Sequence, residues 1–274
     1  EESRAYSLRC FAPLSMTCQN VANLWLNYPM RWIYLSPHLD DAVFSAGGLI
    51  YEQTQAGIPV EIWTFMCGDP HLNECSRLAQ RLHKTWGFSS AQETVRLRRE
   101  EDTLAASIVG AKVVHFDFLD CIYRRDKNGD WLYPSEIFGA IHEADADYPA
   151  QIASAISARL KPDDKLVCQL GLGSHVDHVL ARRAAELLGR RLRYDVDVPY
   201  VLAKPEEFAP KAAGMVEETV RITETSLPRW VEASVAYRSQ LPSLGDRFNS
   251  PETVTESIRN YWAERQGIRL LQYD

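Results

Sequence analysis

A doubly wound α/β protein with a mostly parallel sheet is the fold class this sequence predicts, on three observations. Short β-branched or aromatic runs alternate with helically spaced runs over residues 31–202. The first strand–helix–strand unit closes within about forty residues, the length of a βαβ crossover. Polar His/Asp clusters directly follow two of the predicted strands, where open sheets bind ligands.

The elements follow in order. Residues 31–36, Arg-Trp-Ile-Tyr-Leu-Ser, read as a buried strand and give way to the polar run 37–41. Residues 42–55 place Val43, Ala46, Leu49 and Ile50 at helical spacing and stop at Gly57. Residues 59–67 form the second strand. A charged amphipathic helix is predicted over 93–108, a strand over 112–119, a helix over 149–160 and a strand over 165–172. A helix over 179–188 and a strand over 194–202 complete the alternation. Residues 68–92 and 120–148 read as long loops, of the kind that carry function. Beyond 203 come a strand (219–223), two helices (227–240 and 251–265) and a final strand (268–273). One domain spanning 1–274 is expected, with a core of about 31–202 and a C-terminal addition over 203–274.

Composition narrows the partners. The 274 residues are 46% hydrophobic and 24% charged, which excludes a disordered or fibrous chain. Thirty Lys+Arg against thirty-seven Asp+Glu leave a net charge of −7, a sign that repels phosphate backbones and argues against nucleic acid. No apolar run is long enough to span a membrane. The mildly apolar stretch 8–26 is interrupted by Arg9, Gln19, Asn20 and Asn23, unlike a signal peptide, so a cytoplasmic location is expected. Six cysteines without a C-x-x-C pair read as free thiols. A homo-oligomer is left open.

Two clusters carry the chemistry: His38-Leu-Asp40-Asp41 and His175-Val-Asp177-His178. At a helix start, residues three apart share a face, which pairs His38 with Asp41 and His175 with His178. One imidazole and one carboxylate from the first cluster plus one imidazole from the second make a His₂Asp set. Three protein ligands and an open position describe a catalytic zinc site, and the same set suits Fe(II). Asp40 is then free to take a proton from an activated water. The leftover imidazole is free to protonate a leaving group or bind an oxyanion, with Asp177 orienting it. Taken singly, either cluster could be a helix N-cap; two of the same pattern after two strands argue for a site.

The segments Ser36-Pro-His-Leu-Asp-Asp-Ala-Val-Phe-Ser-Ala-Gly-Gly48 and Gly173-Ser-His-Val-Asp-His178 resemble the two signature motifs of the PIG-L/LmbE family. The resemblance spans about residues 31–202. It implies a Rossmann-like fold and zinc-dependent removal of N-acetyl groups from N-acetylglucosamine-like substrates, with a small amino-sugar compound as partner. It further implies that His38, Asp41 and His178 bind zinc, that Asp40 is the general base, and that His175 is the general acid or oxyanion partner. Arg98 and Glu101 resemble the family's Arg-x-x-Glu helix, whose arginine faces substrate. Asp120 is similar to a sugar-contacting acid, a place for which Asp126 competes. Pro37, Leu39, Ala42 and Val176 depart from the commonest motif forms without removing a ligand or the base. The alternatives are a phosphoester or glycosidic hydrolase using the same metal site, and a carbohydrate-binding protein without catalysis.

Weaker candidates are Tyr123, Trp131 and Tyr133 as sugar-stacking rings, with packing the stronger expectation, and His71 and His83 as surface residues. Gly47-Gly48 lacks the spacing of a phosphate loop and suits close helix–sheet packing.

Overall fold

The computed structural model describes residues 30–71 and 74–274. Seven strands form one sheet: β1 (Trp32–Ser36), β2 (Val60–Met66), β3 (Lys112–Phe118), β4 (Lys165–Gln169), β5 (Leu192–Asp195), β6 (Val216–Arg221) and β7 (Gly267–Gln272). Their order is β3-β2-β1-β4-β5-β7-β6. The first five pair in parallel, and the C-terminal strands add two antiparallel pairings, β5 with β7 and β7 with β6. The sheet is mostly parallel and helix-covered, as the sequence predicts.

The chain winds outwards from β1 to β3, then crosses back to β4 beside β1. That reversal opens a crevice at the carboxyl ends of β1 and β4. Both His/Asp clusters lie there. The first leads from β1 into α1 (Asp41–Gln55). The second leads from β4 into α5 (Val176–Leu187), preceded in the chain by α2 (Arg77–Trp86), α3 (Ala91–Ile108) and α4 (Tyr148–Ser157). Near-continuous burial of β1, β2 and β4 explains their Val/Ile/Leu/aromatic composition.

Three readings need correction. Residues 68–92 are not all loop: α2 fills 77–86, capped by Ser76 accepting from the Ala79 N–H and closed by left-handed Gly87. The strand expected over 194–202 stops at Asp195, and a helical turn, α6 (Tyr200–Ala203), follows. Asp197 there has φ +47°, which no strand accommodates, and Pro199 lacks the N–H a ladder needs. Gly47 and Gly48 make room for a C-terminal helix rather than for the sheet. Beyond the short α7 (Phe208–Lys211), α8 (Leu227–Val235) brings Trp230 onto α1, and its indole N–H donates to Val43 O at 2.8 Å. The second helix expected there is α9 (Pro251–Arg265).

A Cβ on Gly47 would stand 2.5 Å from the Trp230 ring, which is fully buried and cannot yield. Overpacking of about 1–3 kcal/mol outweighs the helix propensity of about 1 kcal/mol that alanine gains. Gly47→Ala is therefore expected to lower the melting temperature by a few degrees; a rise would show that Trp230 does not set this approach.

Among the described residues, Cys67, Cys75, Cys121 and Cys168 are free thiols, and no helix is long and apolar enough to cross a membrane. Cys10, Cys18 and the stretch 8–26 lie outside the described residues.

Candidate active site

The first cluster is shaped by its own loop. The Ser36 hydroxyl donates to His38 O at 2.7 Å and accepts from the Ala42 N–H at 3.2 Å, folding residues 37–40 over the start of α1. Asp41 Oδ2 accepts the His38 N–H at 2.8 Å, which turns this carboxylate back towards the loop. Asp40 occupies the N-cap position yet makes no capping bond, so its carboxylate is left for the crevice. The N-cap explanation of the cluster does not account for that.

The second cluster begins with a tight turn. Gly171, Gly173 and Ser174 all take positive φ, and a Cβ on Gly173 would stand 2.3 Å from the Tyr200 ring. His175 then caps α5, its Nδ1 accepting the Asp177 N–H at 3.2 Å. A ring whose Nδ1 accepts carries its proton on Nε2. Burial, and then the neighbouring His38 and His178, hold its pKa well below the ordinary histidine value, so the ring is neutral.

The clusters meet at Asp41. Its Oδ2 lies 3.3 Å from His38 Nδ1 and its Oδ1 lies 3.5 Å from His178 Nε2. Nitrogens of His38, His175 and His178 all come within 4.8 Å of one another. Behind the rings, His38 Nε2 lies 3.1 Å from Asp177 Oδ2 and His178 Nδ1 lies 3.3 Å from Asp197 Oδ1. Asp177 is thus turned towards His38. Its carboxylate serves that ring, the Cys121 N–H at 2.9 Å and Arg124 at 2.6 Å, while only its main-chain N–H reaches His175. The expectation that this carboxylate orients His175 is corrected accordingly.

Electrostatics follow from burial. The Asp40 carboxyl is pushed up to about 7 by desolvation and then by the Asp41 charge. Asp41 is held well below the carboxylate range: burial opposes this, but His178 and His38 outweigh it. Burial also opposes a charged His38, yet Asp177 and Asp41 raise its pKa well above the ordinary value.

Two further polar side chains close on this group of residues. Arg98, from α3, places its guanidinium 3.5 Å from Asp40 and 3.8 Å from Asp120. Together with His38, Asp40, Asp41, His175 and His178, these two line a cavity of about 210 Å³. Asp177 is fully buried behind it. Asp126 sits instead on a surface turn, accepting from the Asn128 and Asp130 N–H groups. Glu101 faces away and accepts from Ser239 N–H and Oγ. Tyr123 is bonded to His83, Tyr133 to Asp145, and Trp131 lies under Arg125; none of the three rings lines the cavity. His71 is exposed, whereas His83 is buried, contrary to its expected surface position.

The sequence reading missed Trp86, Phe138 and Tyr200, which do line it, and Gln240, Ser243 and Leu244 from the C-terminal addition. It also missed Asp197 and Arg124. The Asp195-x-Asp197 pair after β5 was the available signal for the first; Trp86 was hidden when its helix was taken for loop.

The model of the family described as PIG-L, GlcNAc-PI de-N-acetylase, matches residues 33–188, more than half the chain. The chain belongs to the PIG-L family. Solved structures similar to this PIG-L chain include the zinc-inhibited form of teicoplanin deacetylase Orf2, at 26% identity and a TM-score of 0.75 over 89% of this chain and 97% of that one. The A40926 pseudoaglycone deacetylase Dbv21 follows at 28% identity and 0.69 over 90% and 97%. The N,N'-diacetylchitobiose deacetylase from Pyrococcus horikoshii, at 17% identity and 0.50 over 95% and 94%, shares the fold. No curated protein matches the chain.

Both PIG-L motifs fall inside the matched stretch, and with them every residue of the polar cluster except Asp197. The fit of the cluster to a metal is tested by its donors. Imidazole nitrogens and carboxylate oxygens are the donors zinc takes, and here one imidazole nitrogen stands beside each Asp41 oxygen, His38 at 3.3 Å from Oδ2 and His178 at 3.5 Å from Oδ1. A carboxylate behind each ring is the usual support of a metal-ligating histidine. The residues fit a divalent cation.

Proposed function

We propose that this chain is a metal-dependent deacetylase that removes the N-acetyl group from an N-acetylglucosamine-like sugar or glycoconjugate, releasing acetate and a free amine. The observation that carries the reading is the pair of back-anchored imidazoles, His38 on Asp177 and His178 on Asp197, converging on Asp41 beside an uncapped Asp40.

His38, Asp41 and His178 would hold the cation, zinc or Fe(II). Such a cation polarises an acyl oxygen and lowers the pKa of water from about 15.7 towards about 7. Asp40 accepts the proton of the attacking water and returns it to the departing amine. His175, neutral and protonated on Nε2, donates a hydrogen bond to the oxyanion; this favours the oxyanion role over the general-acid one. Arg98 keeps Asp40 in place and lends positive charge to the cavity, and Asp120 accepts from a sugar hydroxyl. The acidic overall charge of −7 suits a neutral sugar rather than a polyanion.

The test is acetate release from N-acetylated sugars by protein stripped with a chelator and reloaded with single metals. Activity is expected to vanish on stripping and return with zinc or ferrous iron, then fall at excess zinc if the inhibition named for teicoplanin deacetylase extends to this chain. Phosphate or reducing-sugar release without acetate would sink the reading in favour of another hydrolase; sugar binding with no turnover under any metal would favour a binding protein.

A further inference from the structure

Among the described residues, β6 pairs with β7 alone and forms one edge of the sheet. Five of its six residues are exposed, and only Val220 is half-buried. An open edge is a template for another strand unless a proline, a bulge or repelling charges blunt it. β6 reads Val-Glu-Glu-Thr-Val-Arg, without proline, and its register with β7 runs without a shift. The opposite edge, β3, carries such a shift beside Thr64 and Met66. We propose that the β6 edge is a homodimer interface: β6 pairs antiparallel with β6 of a second copy, Thr219 facing Thr219 on the two-fold axis. The proposal is independent of the deacetylase reading.

The main chain fixes which residues would meet. The Ile222 N–H donates to Gln266 O at 3.2 Å, continuing the β6–β7 ladder by one pair. Ladder bonds alternate along an antiparallel strand, so Val216, Glu218 and Val220 turn their N–H and C=O groups towards β7. Arg269, opposite Thr219, fits this alternation: its N–H donates to the Tyr261 hydroxyl at 3.4 Å. The N–H and C=O groups of Glu217, Thr219 and Arg221 therefore point out of the edge. Within the strand, one self-pairing engages all three at once. It sets Thr219 on Thr219 and Glu217 on Arg221 at either side.

Charge selects the same register. Directly opposed residues share a face, so each Glu217–Arg221 pair is attractive and occurs twice. Sliding one way sets Glu218 against Glu218, and sliding the other way leaves every glutamate without an arginine. Glu217 is held extended by Arg269, at 2.9 and 2.7 Å, and a carboxylate has acceptor sites to spare. Arg221 is exposed, with Gln266 Oε1 at 3.4 Å. The two-fold axis stands perpendicular to the sheet, so the carboxyl ends of β1 and β4 point opposite ways in the two copies. A pairing of six residues is small, below the roughly 1,200 Å² of stable complexes, so the association is weak and reversible.

The experiment is sedimentation equilibrium of the full chain at concentrations from about 1 to 100 µM, the range of a weak complex. A reversible monomer–dimer equilibrium is expected. Arg221→Glu opposes two glutamates on each side and is expected to weaken the dimer by about tenfold. Thr219→Pro removes an outward N–H and no bond to β7, so it is expected to leave a monomer with an unchanged melting temperature. Thr219→Cys tests the register: residues opposed on the axis stand about 5.5 Å apart, within reach of a disulfide. It is expected to cross-link two copies under mild oxidation, well ahead of Glu218→Cys. The cysteine and glutamate variants serve even if the proline variant fails to fold. A monomer at every concentration, a dimer unaffected by Arg221→Glu, or equal cross-linking of the two cysteine variants overturns the proposal.

Discussion

Asp40→Asn is expected to bind metal as the wild type does and to lose about 10²–10⁴-fold in kcat. The substitution preserves shape and removes only the group proposed to take the proton. Three features single out Asp40 from the other acids: it makes no capping bond, it lines the cavity, and its carboxyl is pushed up to about 7, into the range a base needs near neutrality. Asp41, one residue on, is committed to His38 and His178. The measurement is single-turnover acetate release beside metal content of the same preparation. A variant that kept its metal and its rate would transfer the base to another residue. One that lost both would make Asp40 a ligand.

The second large effect concerns stability. Arg124 is buried between two buried carboxylates, 3.0 Å from Asp145 and 2.6 Å from Asp177. Arg124→Met removes the cation and leaves both acids without it, so a loss of about 3–5 kcal/mol is expected. The midpoint of urea unfolding should fall with little change in slope. Burial opposes an ionised Asp177, but Arg124 and His38 hold its pKa far below the ordinary carboxylate value. Its contribution is therefore complete above the pKa of a free carboxylate, about 3.9, and is lost only as the pH falls below that through the folded value. The deficit of the variant should then be constant from neutral pH down to about 5. A loss under about 1 kcal/mol would mean that water or a relaxed backbone takes over the role of Arg124. If His38 holds a metal as proposed, weaker metal binding is expected beside it, since Asp177 would lose the cation that fixes its carboxylate behind His38.

The sheet and the residues brought together at its switch point were legible in the sequence because they are written locally. Each strand is a short apolar run, each cluster follows one directly, and i, i+3 spacing suffices to pair His38 with Asp41. The supports behind the rings were not legible in the same way. Asp197 reaches His178 across 19 positions, and Arg124 reaches Asp177 across the sheet end; the Asp195-x-Asp197 pair marks Asp197 as a candidate but not its partner, and nothing in local spacing marks Arg124. Residues 68–92 misled because Gly68, Pro70 and Gly87, which lie on either side of α2, also punctuate loops. The strand expected over 194–202 misled because its apolar run is broken by a positive φ at Asp197, which composition does not display. Gln240, Ser243 and Leu244 were out of reach altogether: their segment is brought to the cavity by distant partners, Glu101 on α3 through Ser239 and Trp86 on α2 through Ser243.

That tie has a consequence for how such a molecule can change. The two His/Asp clusters sit on turns after β1 and β4, while one wall of the cavity is tied on by hydrogen bonds from Ser239 to Glu101 and from Trp86 to Ser243. The wall can be lengthened, shortened or replaced without moving either His/Asp cluster, provided a serine-like partner for Glu101 survives. Exchanging residues 239–244 between relatives would therefore reshape one wall of the cavity while leaving His38, Asp40, Asp41, His175 and His178 in place.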